Sequence, residues 1–188
     1  MTGWPTEAIL DLVPFAVELS FDEPAESTVR ALWDQLERGG ISSLGTVQGG
    51  PYRPHVSLAV FDDGDPDQLW GELARPVDTC LGMPLTLGAL GFFLTDEAVA
   101  FLHVVPTTAL LDHHRRVVSS YSAHPSRLWP YYGIDRFVPH CTLATGLRDT
   151  EMSTVSGTLA RTRLPIAAHA AMGALVEVPS GRTLYSVS

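Results

Sequence analysis

The sequence matches itself at a fixed offset, and that self-match limits the possible folds more than any other feature of the chain. His55-Val56-Ser57-Leu58 and His140-Cys141-Thr142-Leu143 lie 85 positions apart, and each directly follows a proline, Pro54 or Pro139. The same ungapped offset brings Ala59 onto Ala144 and Gly88-Ala89-Leu90 onto Gly173-Ala174-Leu175. It also pairs Arg30 with Arg115, Asp22 with Thr107 (each read as a helix N-cap), and the apolar stretch Phe15 to Leu19 with Ala100 to Val104. Agreement in element type along the whole offset reads as duplication of one unit.

The repeated unit is strand, helix, motif strand, helix, strand. In the first copy the pattern predicts strand Phe15–Phe21, helix Glu23–Arg38, motif strand His55–Phe61, helix Pro66–Asp78 and strand Leu85–Leu94. In the second it predicts strand Ala98–Val105, helix Thr108–Ser122, motif strand Phe137–Thr145, helix Thr150–Thr162 and strand Ile166–Val178, with Thr183–Val187 as a closing strand. Val29, Leu32, Trp33 and Leu36 recur at the helical period, bounded by Pro24 near the start and Gly39-Gly40 past the end. Strands alternating with helices, with a sheet expected from each repeat, give an α+β or α/β architecture. The expected organisation is a single domain of two repeat lobes, about 14–98 and 99–188, which need not be contiguous halves in space. The linkers Ile41–Tyr52 and Ala123–Arg136 each precede a motif, and their length suggests binding elements.

Charge narrows the partner. The net charge is −9 and all twelve basic residues are arginine, so a uniformly basic nucleic-acid footprint is absent and long duplex nucleic acid is not expected. A small phosphorylated ligand fits this balance better. No apolar run approaches the roughly 18 residues of a membrane helix, and the start of the chain lacks a basic segment followed by an apolar one. The expectation is therefore a cytoplasmic protein without a membrane partner, monomeric by default. Two cysteines, Cys80 and Cys141, are no disulfide framework and are expected as buried free thiols.

Side chains on a strand alternate between faces, so His55 and Ser57 share one face and His140 and Thr142 another. A single strand histidine is ordinarily a polar residue satisfied by its neighbours. Two equivalents, each with a hydroxyl at the same spacing, have no packing reason to recur. Two proton-transfer groups with two hydroxyl donors suit phosphodiester chemistry without a metal or other cofactor, and no convincing ligand cluster for a metal is present.

On these residues the chain resembles the 2H phosphoesterase superfamily, and within it the bacterial 2′-5′ RNA ligase and cyclic phosphodiesterase group. The resemblance runs from about Pro14 to the C-terminus. It implies a two-lobed, pseudo-twofold α+β fold with antiparallel-rich sheets lining a central cleft and helices outside. It further implies His55 and His140 as catalytic, with Ser57 and Thr142 binding phosphate. Opening a 2′,3′-cyclic phosphate needs a base for water and an acid for the departing ribose oxygen, and imidazole suits both. The expected assignment is His140 as base and His55 as acid, with near-symmetry leaving it open. The implied substrate is a nucleotide or short RNA end carrying a cyclic phosphate or a 2′-5′ linkage. RNA ligation, or nucleotide binding without turnover, are the alternatives.

Two departures from the group stand out. Ser57 replaces the commoner threonine, and Thr145 stands where the second motif often continues Leu-Ala-Arg. Arg53 and Arg136 are candidates for the missing basic contact. In Trp129-Pro130-Tyr131-Tyr132-Gly133, stacking a nucleobase and packing the loop are both open, with Tyr132 and Arg136 the better ligand candidates and Tyr52 with Arg53 a weaker pair. His113-His114-Arg115-Arg116 reads as a solvated helix face, His103, His124 and His169 receive no role, and Asp62-Asp63-Gly64-Asp65 reads as a turn with an N-cap.

Overall fold

Phe15, Val17, Leu19 and Phe21 alternate with Ala16, Glu18 and Ser20, so this segment offers a wholly apolar face and a second, partly polar one. In the computed structural model, which describes residues 13–46, 52–121 and 128–188, the apolar set packs into the core and the other set is also buried. The strand is β1 (Phe15–Phe21); α1 (Glu23–Arg38), β2 (His55–Phe61), α2 (Pro66–Asp78) and β3 (Pro84–Phe93) complete the first repeat. The second is β4 (Val99–Val104), α3 (Thr108–Ser120), a 3-10 turn at Pro130–Tyr132, β5 (His140–Ala144), α4 (Asp149–Leu159) and β6 (Ile166–Glu177), followed by β7 (Arg182–Val187).

The predicted elements are all present, with small shifts at their ends. The largest, three residues each, are at β5, which starts at His140 rather than Phe137, and at α4, which ends at Leu159 rather than Thr162. Pro139 has no N–H for a ladder, and the Val138 carbonyl is taken by a side chain. Residues 47–51 of the first linker and 122–127 of the second, including Ser122 and His124, lie outside the described residues.

Instead of one sheet per repeat, the strands form one seven-stranded antiparallel sheet of order β2-β1-β6-β3-β4-β5, with β7 also on β6. The repeats exchange their last strands. β6 of the second copy pairs with β1 of the first, and β3 of the first pairs with β4 of the second. Helices exchange likewise, α1 packing on α4 and α2 on α3. The predicted stripe Val29, Leu32, Trp33 and Leu36 is the buried face of α1.

β2 and β5 end the strand order, yet they pack against each other, so the sheet wraps until its motif strands meet. Their outer edges are covered reciprocally. The Leu44 N–H, from the linker before the first motif, donates to the Leu143 carbonyl of β5 at 2.8 Å. Trp129 N–H, from the linker before the second, donates to the Val60 carbonyl of β2 at 2.8 Å. Free strand edges are thereby closed to foreign strands.

One part of the self-match is corrected. Ser20 lies opposite His55 in β1–β2, and His103 lies opposite His140 in β4–β5, so these first strands correspond at 83 positions, not 85. Both carry a bulge at the same place, Val17/Glu18 and Ala100/Phe101. Glu18 therefore corresponds to Phe101. Asp22 and Thr107 do flank their helices, but only Thr107 caps, accepting from Leu110 N–H at 3.2 Å. The Asp22 carboxylate accepts from His169 N–H at 3.1 Å instead. Asp65 is the predicted cap of α2. Cys80 and Cys141 are both free and buried. Among the described residues no helix is long and apolar enough to cross a membrane.

Candidate functional site

β2 turns His55 and Ser57 away from Val56 and Leu58, which are fully buried in the core. The His55 Nδ1 lies 2.7 Å from the Arg53 carbonyl. A carbonyl only accepts, so Nδ1 carries a hydrogen and Nε2 is the nitrogen left to act. That Nε2 is 3.3 Å from Glu18 Oε1 on β1. Burial raises the Glu18 carboxyl above its ordinary range, partly offset by the nearby His55. Tyr52 stacks near His55 with ring centroids 6.2 Å apart, and its hydroxyl donates to the Pro179 carbonyl at 2.8 Å.

β5 repeats the arrangement around His140. Its Nδ1 lies 2.7 Å from the Val138 carbonyl, again two residues back, which fixes the same tautomer. The surroundings differ. Phe93 and Phe101 present their rings edgewise, at centroid distances of 4.9 and 5.3 Å. Gly91 stands opposite Phe101, where a Cβ would collide with that ring. Burial holds His140 below its ordinary value, the charges of His55 and His103 push the same way, and the Val138 carbonyl opposes them. The charge of His55 reaches His140 across the packed strands β2 and β5.

Contacts between the strands lock this proximity. The Cys141 thiol is held by the His55 backbone, and burial pushes it up to about 12. Trp33 of α1 donates Nε1–H to the Thr142 carbonyl at 3.3 Å. Tyr132 bridges the motifs: it sits on the loop before β5, and its phenol interacts with Ser57 on β2. Its phenol is pushed up to about 12, chiefly by burial.

Tyr132 is held from behind by a residue that the sequence reading placed in solvent. His114 is buried, not on a solvated face. Its Nε2 bonds to the Tyr132 carbonyl at 3.0 Å, and its ring stacks on Phe137 at 3.8 Å. The helical period puts His114 four residues after the buried Leu110, a signal that the neighbouring charges of Arg115 and Arg116 obscured. Glu18, also missed, is detectable as a carboxylate in the middle of an apolar strand. His103, likewise given no role, is the cross-strand partner of His140.

Beside His140 opens a cavity of about 430 Å³, lined among others by Phe93, Trp129, Tyr131, Tyr132 and Arg136. This is within the range of small-ligand pockets. His55 is not part of its wall, so the cavity flanks the histidine pair from the second-motif side. Two of the proposed substrate contacts, Tyr132 and Arg136, are thus beside His140. Arg53 is not brought there: its guanidinium is paired with Glu26 at 2.5 Å and touches Met172. Trp129 both lines the cavity and anchors the loop, donating Nε1–H to Asp62 at 2.5 Å. Among the described residues no group of three His, Cys, Asp or Glu side chains is arranged to hold a metal ion.

The family model described as the 2′-5′ RNA ligase superfamily matches residues 20–177. No curated protein matches the chain at a significant level. Solved structures share its fold. TT0787 of Thermus thermophilus superposes with a TM-score of 0.60 at 16% identity, over 93% of this chain and 97% of that one. LigT of E. coli in apo form gives 0.56 at 14% identity, over 94% and 95%. LigT complexed with 3′-AMP gives 0.53 at 15% identity over the same shares.

Proposed function

The chain belongs to the 2′-5′ RNA ligase superfamily, and from that premise we propose that it is a metal-independent phosphoesterase. It opens a 2′,3′-cyclic phosphate, or cleaves a 2′-5′ linkage, on a nucleotide or short RNA end. One observation carries the reading: both imidazoles donate Nδ1–H to the carbonyl two residues earlier, which leaves each Nε2 as the working nitrogen. Imidazoles with one committed nitrogen are preorganised for proton transfer at the other. One Nε2 takes a proton from water as its oxygen bonds to phosphorus. The other gives a proton to the ribose oxygen as the P–O bond breaks. Ser57 and Thr142 donate to the non-bridging oxygens, where negative charge grows.

The substrate is small. The 430 Å³ cavity admits one nucleoside beside His140, with Tyr131 and Trp129 as stacking surfaces and Arg136 as the cation. Arg136 is the better replacement for the arginine missing at Thr145, because Arg53 is already paired with Glu26. LigT in complex with 3′-AMP or NADP+ supports a small nucleotide as ligand. The protein acts as one domain of two repeat lobes, about residues 14–98 and 99–188, and works as a cytoplasmic monomer.

The test is a panel of 2′,3′-cyclic mononucleotides, ADP-ribose cyclic phosphate and 2′-5′ oligomers, each incubated in EDTA. Turnover is expected to persist in EDTA and to fall at least about 100-fold in His55→Ala and in His140→Ala, the scale of general acid–base catalysis. Turnover abolished by EDTA, or a loss well below tenfold in either variant, contradicts the mechanism.

A further inference from the structure

The two halves of the site differ at a position, beside the first histidine, that the duplication should have made alike. Where β1 places Glu18, β4 places Phe101. Glu18 is 6% exposed and His55 8%, so neither group has bulk water to satisfy it. With Nδ1–H given to the Arg53 carbonyl, Nε2 of His55 lies 3.3 Å from a Glu18 carboxylate oxygen, an ion-pair distance. A carboxylate this close to an imidazole favours the protonated ring. His140 is flanked instead by the rings of Phe93 and Phe101.

We propose that Glu18 is a positioning residue that keeps a proton on Nε2 of His55, so that His55 enters the reaction as the acid and His140 as the base. This rests on the phosphoesterase reading and removes the ambiguity that symmetry leaves in it. The contact is an ion pair at 3.3 Å, which leaves the Nε2–H free to point toward a leaving oxygen. In the ring-opening step, water loses a proton to His140 Nε2 while its oxygen bonds to phosphorus. The bond from phosphorus to the ribose oxygen breaks, and that oxygen takes the proton from His55 Nε2. Glu18 then lies as a buried carboxylate beside a neutral ring, and the cost of that state draws a proton back onto the pair from solvent. Burial lowers His140, which favours the neutral ring that a base needs, while the raising effect of burial on the Glu18 carboxyl is opposed by the charge of His55.

The other titratable groups around the pair do not supply this proton. Tyr52 and Tyr132, whose phenols feel Glu18, are both pushed up to about 12, and so is the Cys141 thiol from β5. On the β6 side the residue opposite Glu18 is Ala174. His140 acts on the site from β5, and Arg53 is turned to Glu26.

Glu18→Gln keeps the shape and removes the charge. In this variant the alkaline limb of the kcat/KM profile is expected to move about one pH unit toward acid, with the acid limb in place. The loss at alkaline pH is then about tenfold, and activity on the acid side stays near wild type. A merely structural role would lower the rate evenly across pH. Long-range ¹H–¹⁵N spectra of the rings should show His55 in the wild type still doubly protonated where His140 has become neutral. An unmoved alkaline limb, a uniform loss, or His140 holding its proton longer than His55 overturns the proposal. Should Glu18→Gln fail to fold, the ¹³C titration of the Glu18 carboxyl in wild type and His55→Gln decides it: the midpoint rises in the variant if the two share a proton, and stays put if they do not. Absence of turnover on every substrate, with the ring proton still tied to Glu18, would overturn the phosphoesterase reading alone.

Discussion

Ser57 and Thr142 occupy equivalent points of the repeat and differ by one methyl, yet their surroundings are not equivalent. Ser57 interacts with the phenol of Tyr132, whose carbonyl is held by His114. A hydroxyl donor beside a phosphate oxygen stabilises the charge that grows there in the transition state. Ser57→Ala is expected to lower kcat by about 100-fold with KM little changed, whereas Ser57→Thr keeps the donor and stays near wild type. Steady-state kinetics on a cyclic mononucleotide checks both. An equal loss in the two variants would mean that the position matters for packing and not for its hydroxyl. At this scale the motif residues are legible because type and spacing alone mark them. Glu18 is not, because its significance lies in the 3.3 Å that separate it from a residue 37 positions further along the chain.

The elements follow from local pattern, and their joining does not. β1, α1, β2 and α2 lie where apolar period, helix-start prolines and N-cap chemistry put them. The exchange of β3 and β6 between repeats has no local signal, since an apolar strand pairs equally well with either neighbour. Once made, it brings α2 down onto β6 at Gly173, where a Cβ would run into Val77. Val77 is β-branched and wholly buried, so it cannot swing aside. Gly173→Ala is expected to destabilise the fold by about 1–3 kcal/mol through overpacking. Adding Val77→Ala should recover part of that loss, making the pair less destabilised than the sum of the single variants. Equilibrium urea unfolding of the three variants checks this, and simple additivity would mean that the two positions do not meet.

Over the whole molecule, two histidines tie stability to pH. His114 and His140 are both held below the ordinary histidine value of 6.5, chiefly by burial. The unfolded chain therefore takes up these protons first as pH falls. Their contribution is complete above about 6.5 and is lost progressively as pH drops through the folded values. The urea midpoint is expected to hold steady from pH 8 to 7 and to decline toward pH 5. His114→Phe should flatten part of that decline while losing some stability at neutral pH with the Tyr132 bond. An unchanged slope in this variant would remove His114 from the account. By itself the sequence determined the duplicated unit, the strand faces that carry each imidazole beside a hydroxyl, and the free thiols. Those follow from periodicity, which acts within one element. Tertiary structure decided that the end strands of the sheet meet, that His114 supports Tyr132, and that a carboxylate faces one imidazole and a phenyl ring the other. These depend on register across strands, which sets Glu18 of β1 near His55 and Phe101 of β4 at the equivalent place near His140.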